Sequence, residues 1–452
     1  MKALFIAAGA AAGSLLLPIQ NLQAQQDGAG SEYANALEEI VVTARKREES
    51  AHDVPISIVA LAGDMIRETD LNRLEELQLY VPNLTVTETG IGSNLSIRGI
   101  GSGENQGFEQ SVGTYVDGIY RGRAQQSRIP FMDLEGFEVL RGPQNTLFGM
   151  NSIAGALNIR SARPTDTLQA RVSALYEPEL DDRKLDGFIS GPFGDTLSGR
   201  LAFRWRDVDG YTRNLTLDTD EANREERAVR GTLAWMPGTD WNVTLKIEHS
   251  RFDTVGRNIE IVDDRPAQAG PFAGLNYAQI LQVFGQDASV ANNYLDYRRS
   301  SNGDSSDNEA NEYVLTVDYG GWGDFVVTSV TGWSAYEYEE LCDCDFTGGN
   351  VFNALFREDF DQFSQEFRVA SPAGRTLDYV AGVFYQTNDL AFFDTLLVDD
   401  GSIMIPVIDA LAGPGFGQFA ANTGTPRTLD QDTDTLAAYG LNRYRVPLSG
   451  AL

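Results

Sequence analysis

A period of two limits this chain more than any other feature. In GRLAFRWRD, residues 199–207, Leu201, Phe203 and Trp205 alternate with Arg200, Arg204 and Arg206. The pattern recurs in DWNVTLKIEH (240–249), EYVLTVDY (312–319) and QFSQEFRV (362–369). Successive side chains of a strand point to opposite faces, so each segment is a strand with one apolar and one polar face. A sandwich alternates too, so the connections decide. Those at 192–198, 237–239, 320–323 and 371–375 are turns, whereas 208–226, 252–310, 339–361 and 390–431 are long. Tight turns on one side and long loops on the other are the pattern of an outer-membrane barrel, the turns facing the periplasm. Tyr176, Trp235, Trp241, Tyr313, Tyr319, Trp333, Tyr379 and Tyr385 fall at or near strand ends, where two interfacial girdles place aromatics.

About ten strands fit between residues 170 and 440, against roughly 22 in a plugged barrel. The alternation of DTLAAYG lapses in LNRYRVPLSGAL after Gly440. The expected fold is therefore β-rich: an α+β N-terminal domain, then an incomplete antiparallel transmembrane β-barrel over 165–452. The missing strands predict an open sheet edge, which a bilayer does not tolerate.

The N-terminal third reads differently. Lys2, the apolar run Ala3–Pro18 and the small residues leading to Ala24 make residues 1–24 a secretory signal peptide; the run is too short for the roughly 20 residues of a membrane helix. Residues 25–37 are small and polar, the start of a flexible leader over 25–49. Within it stands EEIVVTARKREES, Glu38–Ser50, a β-prone core between acidic and basic flanks. A compact region follows from residue 50 to 164. VPISIVAL predicts a strand, and DLNRLEELQLYVPNL a helix with Asp70 as its cap and Pro82 as its stop. From Ser96 glycine recurs about every fourth residue, for tight bends and close backbone approaches. GIGSGENQG lacks the Lys-Ser/Thr of a phosphate-binding loop.

Charge and chemistry exclude several classes. With 35 basic and 65 acidic residues the net charge is −30, which argues against a nucleic-acid partner. The two histidines, His52 and His249, and the absence of a GxSxG-like elbow supply no catalytic constellation. No enzyme, cofactor or metal site is expected. Cys342 and Cys344 in LCDCDF make either two thiols or one strained bridge.

Taken together, EEIVVTARKREES, VPISIVAL, LYVPNL, IRGIG, VGTYVDGIY, FEVLRGPQNTLFGMNSIAGALNIRSARP, SQEFRVAS and YVAGVFYQ resemble the N-terminal part of a TonB-dependent outer-membrane receptor of the siderophore-receptor kind. The resemblance implies that Glu39, Ile40, Val41, Val42, Thr43 and Ala44 form the TonB box, that 50–164 is the plug domain, and that 165–452 is barrel wall. A short β-prone segment suits the box, because it adds as a strand to the edge of a partner's sheet. The other reading makes EIVVTA the first strand of a folded domain, and the solvated look of 25–37 and 45–51 argues against it. The resemblance singles out Arg98, Gly99, Asp117, Gly118, Gly142 and Pro143 as plug motifs, with hydrogen bonds inside the plug expected for Arg98 and Asp117. Arg141 and Glu366 are the candidate pair locking plug to barrel. Asn145, Met150 and Ala154 depart from the family pattern, and Met150 removes a cation that can face the lumen. The implied function is energised import of a ferric siderophore or similar large nutrient, with the periplasmic domain of TonB and outer-membrane lipid as partners. The alternative is a cell-surface binding or adhesion protein without transport. The apolar stretch Ile403–Phe419 is suited to cover a hydrophobic ligand or to pack against other loops. His249, on the apolar register near a strand end, argues against haem.

Overall fold

The computed structural model of this protein describes residues 41–444 apart from 44, 48, 52–53, 90–91, 104–106, 288–293 and 373–374. The expected signal peptide, most of the leader, Glu39, Ile40, Ala44 and His52 lie outside the described residues.

Short apolar runs bounded by glycine build the first domain. Five strands, Ser57–Ala62 (β1), Val112–Val116 (β2), Ile119–Arg121 (β3), Leu134–Arg141 (β4) and Gly155–Ser161 (β5), form one mixed sheet in the order β1-β4-β5-β2-β3. Only β5 and β2 pair in parallel. All five residues of β2 are buried, so apolar or small side chains are needed on both of its faces. Leu74, Leu77, Leu95, Ile97, Phe137 and Leu157 anchor the core. The helix expected after Asp70 is a single turn, Leu74–Leu77, and Asp70 does not cap it. The Glu76 carboxylate instead reaches back to accept from the backbone N–H groups of Asn72 (2.6 Å) and Arg73 (3.2 Å), while Asp70 is drawn to Lys184 of the wall.

Two of the three dipeptides singled out as plug motifs are two-residue hairpin loops. Asp117 and Gly118 join β2 to β3 with φ of +50° and +87°, and Arg98 and Gly99 close another hairpin with +53° and +78°. Two successive positive φ values are the mark of a type I′ turn, whose twist matches that of the flanking strands.

The alternating region forms one large antiparallel sheet with ten long strands among the described residues: Gln169–Glu177 (β6), Asp182–Pro192 (β7), Leu197–Val208 (β8), Asn223–Trp235 (β9), Trp241–Val255 (β10), Ser305–Trp322 (β11), Phe325–Cys342 (β12), Asn353–Ala370 (β13), Leu377–Val398 (β14) and Arg427–Tyr444 (β15). Each pairs with its neighbour in chain order. The sheet does not close, as β6 and β15 do not pair with each other. Leu201, Leu245, Ile247, Tyr313, Leu315, Phe363 and Phe367 are exposed on the outer face, while Arg200, Arg204, Lys246, Glu248 and Glu366 are buried on the inner one. Trp241 packs on Tyr319 with centroids 4.5 Å apart, and Tyr313 on Trp333 at 5.3 Å. The period-two reading thus gives the correct face of every quoted segment.

Strand ends differ from the expectation. The stretch 252–310, read as a loop, begins and ends as strand, because β10 continues to Val255 and β11 starts at Ser305. Ser305–Asn311 is polar on both faces and carries no apolar alternation to detect. The turns at 193–196, 236–240, 323–324 and 371–376 lie at one end of the wall, with the long connections 209–222, 256–304, 343–352 and 399–426 at the other.

Candidate functional site

The first domain is held against the inner face of the wall by charge. The sequence YRGRAQQSR, residues 120–128, lays three arginines along one edge of the plug. Arg121 donates to Glu312 of β11 (3.0 Å), Arg128 to Glu340 of β12 (3.1 Å) and Arg123 to Glu358 of β13 (2.9 Å). Three neighbouring strands therefore each present one inward glutamate, and all six side chains are buried. Hydroxyls of Tyr336 and Tyr338 donate to Glu358 and Glu340. Carboxylates of the plug meet cations of the wall on the other flank: Asp133 accepts from Arg200 (2.6 and 2.5 Å), and Asp117 from Lys246 (2.5 Å). Asp117 also accepts from the Ser161 backbone N–H within the plug (2.8 Å). Burial pushes its carboxyl up, but Lys246 and the Ser161 bond outweigh that and hold it well below the ordinary carboxylate range.

An apolar peg adds register to this layer. Ile119 lies over Gly332 of β12, with Val314 and Val330 around it. A Cβ on Gly332 would press on the Ile119 Cδ1, so glycine seats Ile119 here without a shift of its side chain.

The N-terminal arm is the second element of the site. Val41–Val42 pairs antiparallel with Glu49–Ser50, making a small hairpin of the described part of the predicted box. Thr43 donates through its backbone N–H to Glu138 of β4 (2.8 Å). The basic triplet after it is clamped: Lys46 donates to Glu366 of β13 (3.0 Å), Arg47 to Asp378 of β14 (3.0 Å), and Arg45 pairs with Glu49 (3.2 Å). Arg443 of β15 shares Asp378 and Glu49 with Arg47. The described residues Arg45–Arg47, Glu49 and Ser50 of this flank are thus packed rather than solvated, because inward carboxylates of the wall attract the basic triplet. Burial lowers the Lys46 ammonium, and Glu366 partly restores it.

Glu366 is therefore locked, but not by Arg141. It is held by Lys46 and by the Tyr439 hydroxyl, while Arg141 has no ion pair among the described residues and one buried guanidinium nitrogen without a partner. The expected Arg141–Glu366 pair is corrected to Lys46–Glu366. Arg98 makes its hydrogen bond inside the plug through the backbone, its N–H donating to the Asn83 carbonyl (2.9 Å), while the guanidinium itself is exposed. Gly142 takes φ of +96° and donates to the Ala154 carbonyl, turning the chain into exposed Pro143. Met150 packs against the cluster of Tyr115, Leu147 and Phe148, and its sulfur accepts a weak hydrogen bond from the Thr435 hydroxyl of β15 (3.8 Å).

A cavity of about 620 Å³ lies between the arm, the plug and the wall near the short turns, with Lys46, Arg160, Lys246, Arg368, Thr244 and Thr328 in its lining. At the opposite end, Ile403 and Met404 pack with Leu281 and Val351, so the first part of the Ile403–Phe419 stretch makes loop–loop contacts, whereas Leu411, Phe416 and Phe419 are exposed. Cys342 and Cys344 form a disulfide. Beside it burial, and then Asp345, push the Asp343 carboxyl up to about 7. His249 is on the outer face with Nδ1 2.9 Å from the Asn311 side chain, away from the enclosed interior.

A sheet with an apolar outer face, a charged inner face and a folded plug held by ion pairs defines an outer-membrane barrel protein of the plugged class. Residues 50–156 match the TonB-dependent Receptor Plug Domain, and the chain is a TonB-dependent receptor, in its plug and first wall strands, localised to the outer membrane. Such proteins are receptors and transporters rather than enzymes. The pesticin receptor of Yersinia pestis is 25% identical over 393 residues, covering 83% of this chain and 51% of that protein. An iron-regulated outer membrane virulence protein of Vibrio cholerae is 28% identical over 244 residues, covering 49% of this chain and 36% of that protein. Among solved structures, the ferric yersiniabactin uptake receptor FyuA from Yersinia pestis superposes with a TM-score of 0.62 at 16% identity, covering 86% of this chain and 61% of that one. The ferripyoverdine receptor of Pseudomonas aeruginosa, bound to ferripyoverdine, gives 0.61 at 13%, covering 89% and 52%. The chain spans about half the length of the curated relatives it matches most extensively.

Proposed function

We propose that this chain is the plug, arm and first wall strands of an outer-membrane receptor that imports a ferric siderophore or a similar large nutrient, energised by TonB from the periplasm. The observation that carries the reading is the arm. A short β-strand is held by one small hairpin, one backbone bond to Glu138 and a row of ion pairs to the wall. Such a strand is parked rather than integrated, and once released it presents a free edge for pairing with a partner's sheet. The names of the relatives, a ferric yersiniabactin uptake receptor and a ferripyoverdine receptor among them, support iron chelates as the substrate class. No covalent chemistry is required, and binding from outside and pulling from inside act on the same plug.

The test is uptake of labelled ferric siderophores by iron-limited cells lacking their own receptors, supplied with the full-length protein that carries this sequence. Uptake that is abolished by Val42→Pro, while surface binding persists, is the expected result, since proline removes a ladder N–H. Uptake unchanged by Val42→Pro overturns TonB coupling through this arm. Binding without transport in both forms supports the surface-binding alternative instead.

A further inference from the structure

On β7, β8 and β9 the outward register carries Gly187, Gly191, Gly199 and Gly231. Three of these glycines are roofed by a neighbour. A Cβ on Gly187 would meet the Phe203 ring, one on Gly191 would meet Leu168, and one on Gly199 the Phe193 ring. At Gly231 nothing lies within 4 Å of that position. A glycine inside a strand weakens it, through backbone entropy and the missing side chain. Where one is kept, a frequent reason is that another molecule approaches the backbone closely.

Gly231 is the floor of a notch in the outer face. Across the ladder it stands between Leu201 of β8 and Ile247 of β10, and the next row towards the short turns is Gly191, Gly199, Leu233 and Leu245. These rows bound a cavity of about 370 Å³, with Leu168, Ile189, Phe193, Leu201, Leu233 and Ile247 among its walls. Arg200 borders it too, but its guanidinium is turned to the inner face and bound to Asp133. The depth follows from the strand. Gly231 is four residues from Trp235 at the end of β9, which at about 3.3 Å per residue and a tilt of about 40° is roughly 10 Å along the membrane normal. With Trp235 in the aromatic girdle of the short-turn side, the notch opens into the hydrocarbon of the periplasmic leaflet.

We propose that the notch over Gly231 holds one acyl chain of a phospholipid from the periplasmic leaflet. The outer face around it is already the lipid-contacting surface of an outer-membrane protein, so the notch is continuous with that interface. Its width selects a chain over a protein. Leu201 and Ile247 stand two strand spacings of about 4.8 Å apart, and their side chains take up part of that gap, whereas a packed helix needs about 10 Å. A chain lying on Gly231 touches Leu201, Ile247 and Leu233 as well as the backbone, and gains dispersion contacts on several sides that a chain on a flat wall makes on one. The inference rests on the outer-membrane location and is independent of TonB coupling and of the substrate.

The experiment is native mass spectrometry of the full-length protein that carries this sequence, purified in detergent, delipidated and titrated with palmitoyl-oleoyl phosphatidylethanolamine. Gly231→Phe, which fills the notch, is the test variant. Val229→Phe, outward on the same strand but outside the notch, is the control. The expected result is one lipid adduct that survives activation after the others are stripped, present in the parent and in Val229→Phe and lost in Gly231→Phe. No surviving adduct in the parent, or the same adduct in Gly231→Phe, overturns the proposal. A lipid-free dimer that Gly231→Phe disrupts also overturns it, because a second copy is then the occupant. If Gly231→Phe does not assemble, the parent is reconstituted with phosphatidylethanolamine carrying a diazirine on its acyl chain. Labelling of Leu201, Gly231 and Ile247 above that of Phe363 and Phe367, exposed on the same outer face, supports the site, and equal labelling overturns it.

Discussion

The arm is the element whose release can be measured most directly. Replacing Lys46 and Arg47 together by methionine keeps most of the buried aliphatic length and removes two cations. Glu366 then retains the Tyr439 hydroxyl and a distant Arg368 (3.6 Å), and Asp378 retains bidentate Arg443. Removing one partner of a buried pair costs roughly 3–5 kcal/mol when the other is left bare. Because both carboxylates keep a second donor, we expect about 1–2 kcal/mol for each change, or about 3 kcal/mol together. That corresponds to roughly a hundredfold rise in the open population of the arm, at 1.4 kcal/mol per factor of ten. Amide exchange at Val42, Thr43 and Ser50 should accelerate by that factor, whereas amides of β12 and β13 should not change. Exchange at Thr43 that stays within about threefold of the parent would refute the clamp, since the Glu138 bond and the hairpin alone would then hold the arm.

Other outcomes follow from single sites. Gly332→Val should displace Ile119 and cost about 1–3 kcal/mol of plug–wall stability, as overpacking does, and Ile119→Ala in the same chain should recover most of it in thermal unfolding. Phe137→Ala, in the centre of the plug core, should cost about 3–5 kcal/mol, read as lost protection of β4 and β5. Glu109 has its carboxyl raised above the ordinary 4.5 by burial, with Tyr120, Arg123 and Asn151 opposing. The folded pKa lies above the unfolded one, so the penalty is complete above the folded pKa and fades as pH falls through it towards 4.5; Glu109→Gln should flatten that part of the stability–pH curve. His249→Ala should leave ligand binding unchanged, measured by titration of intrinsic fluorescence, because the ring faces outward.

What was legible in the sequence was set by burial on one side only. Lys246, Glu248 and Glu366 against Leu245, Ile247 and Phe367 give a period that needs no tertiary information. Where the buried face is itself polar, as at Ser306 and Asn308 in Ser305–Asn311, that period vanishes from the sequence and strand ends are misplaced. The ion-pair layer was hidden for a different reason. Arg128 and Glu340 are 212 residues apart, and nothing local marks a partner. The available hint was the concentration of arginine at 121–128 in a strongly acidic chain, which asks for buried acids nearby. The triplet Arg45-Lys46-Arg47 carried the same hint and looked solvated only because its carboxylates come from β13 and β14.

Fastening a plug by charge rather than by an apolar core follows from what the plug must do. An apolar interface loses its stabilisation in proportion to the area exposed, roughly 25 cal/mol per Å², whatever water enters. An ion pair opened into water has both partners rehydrated, and that hydration offsets most of the lost attraction. The plug keeps its own core in Leu95, Phe137 and Leu157 and meets the wall through Arg121, Arg123, Arg128, Asp117 and Asp133. Force applied at the arm would therefore separate plug from wall at the polar layer before it unfolds the plug, with small apolar contacts such as Ile119 on Gly332 and Met132 on Ala202 and Ala228 to be withdrawn.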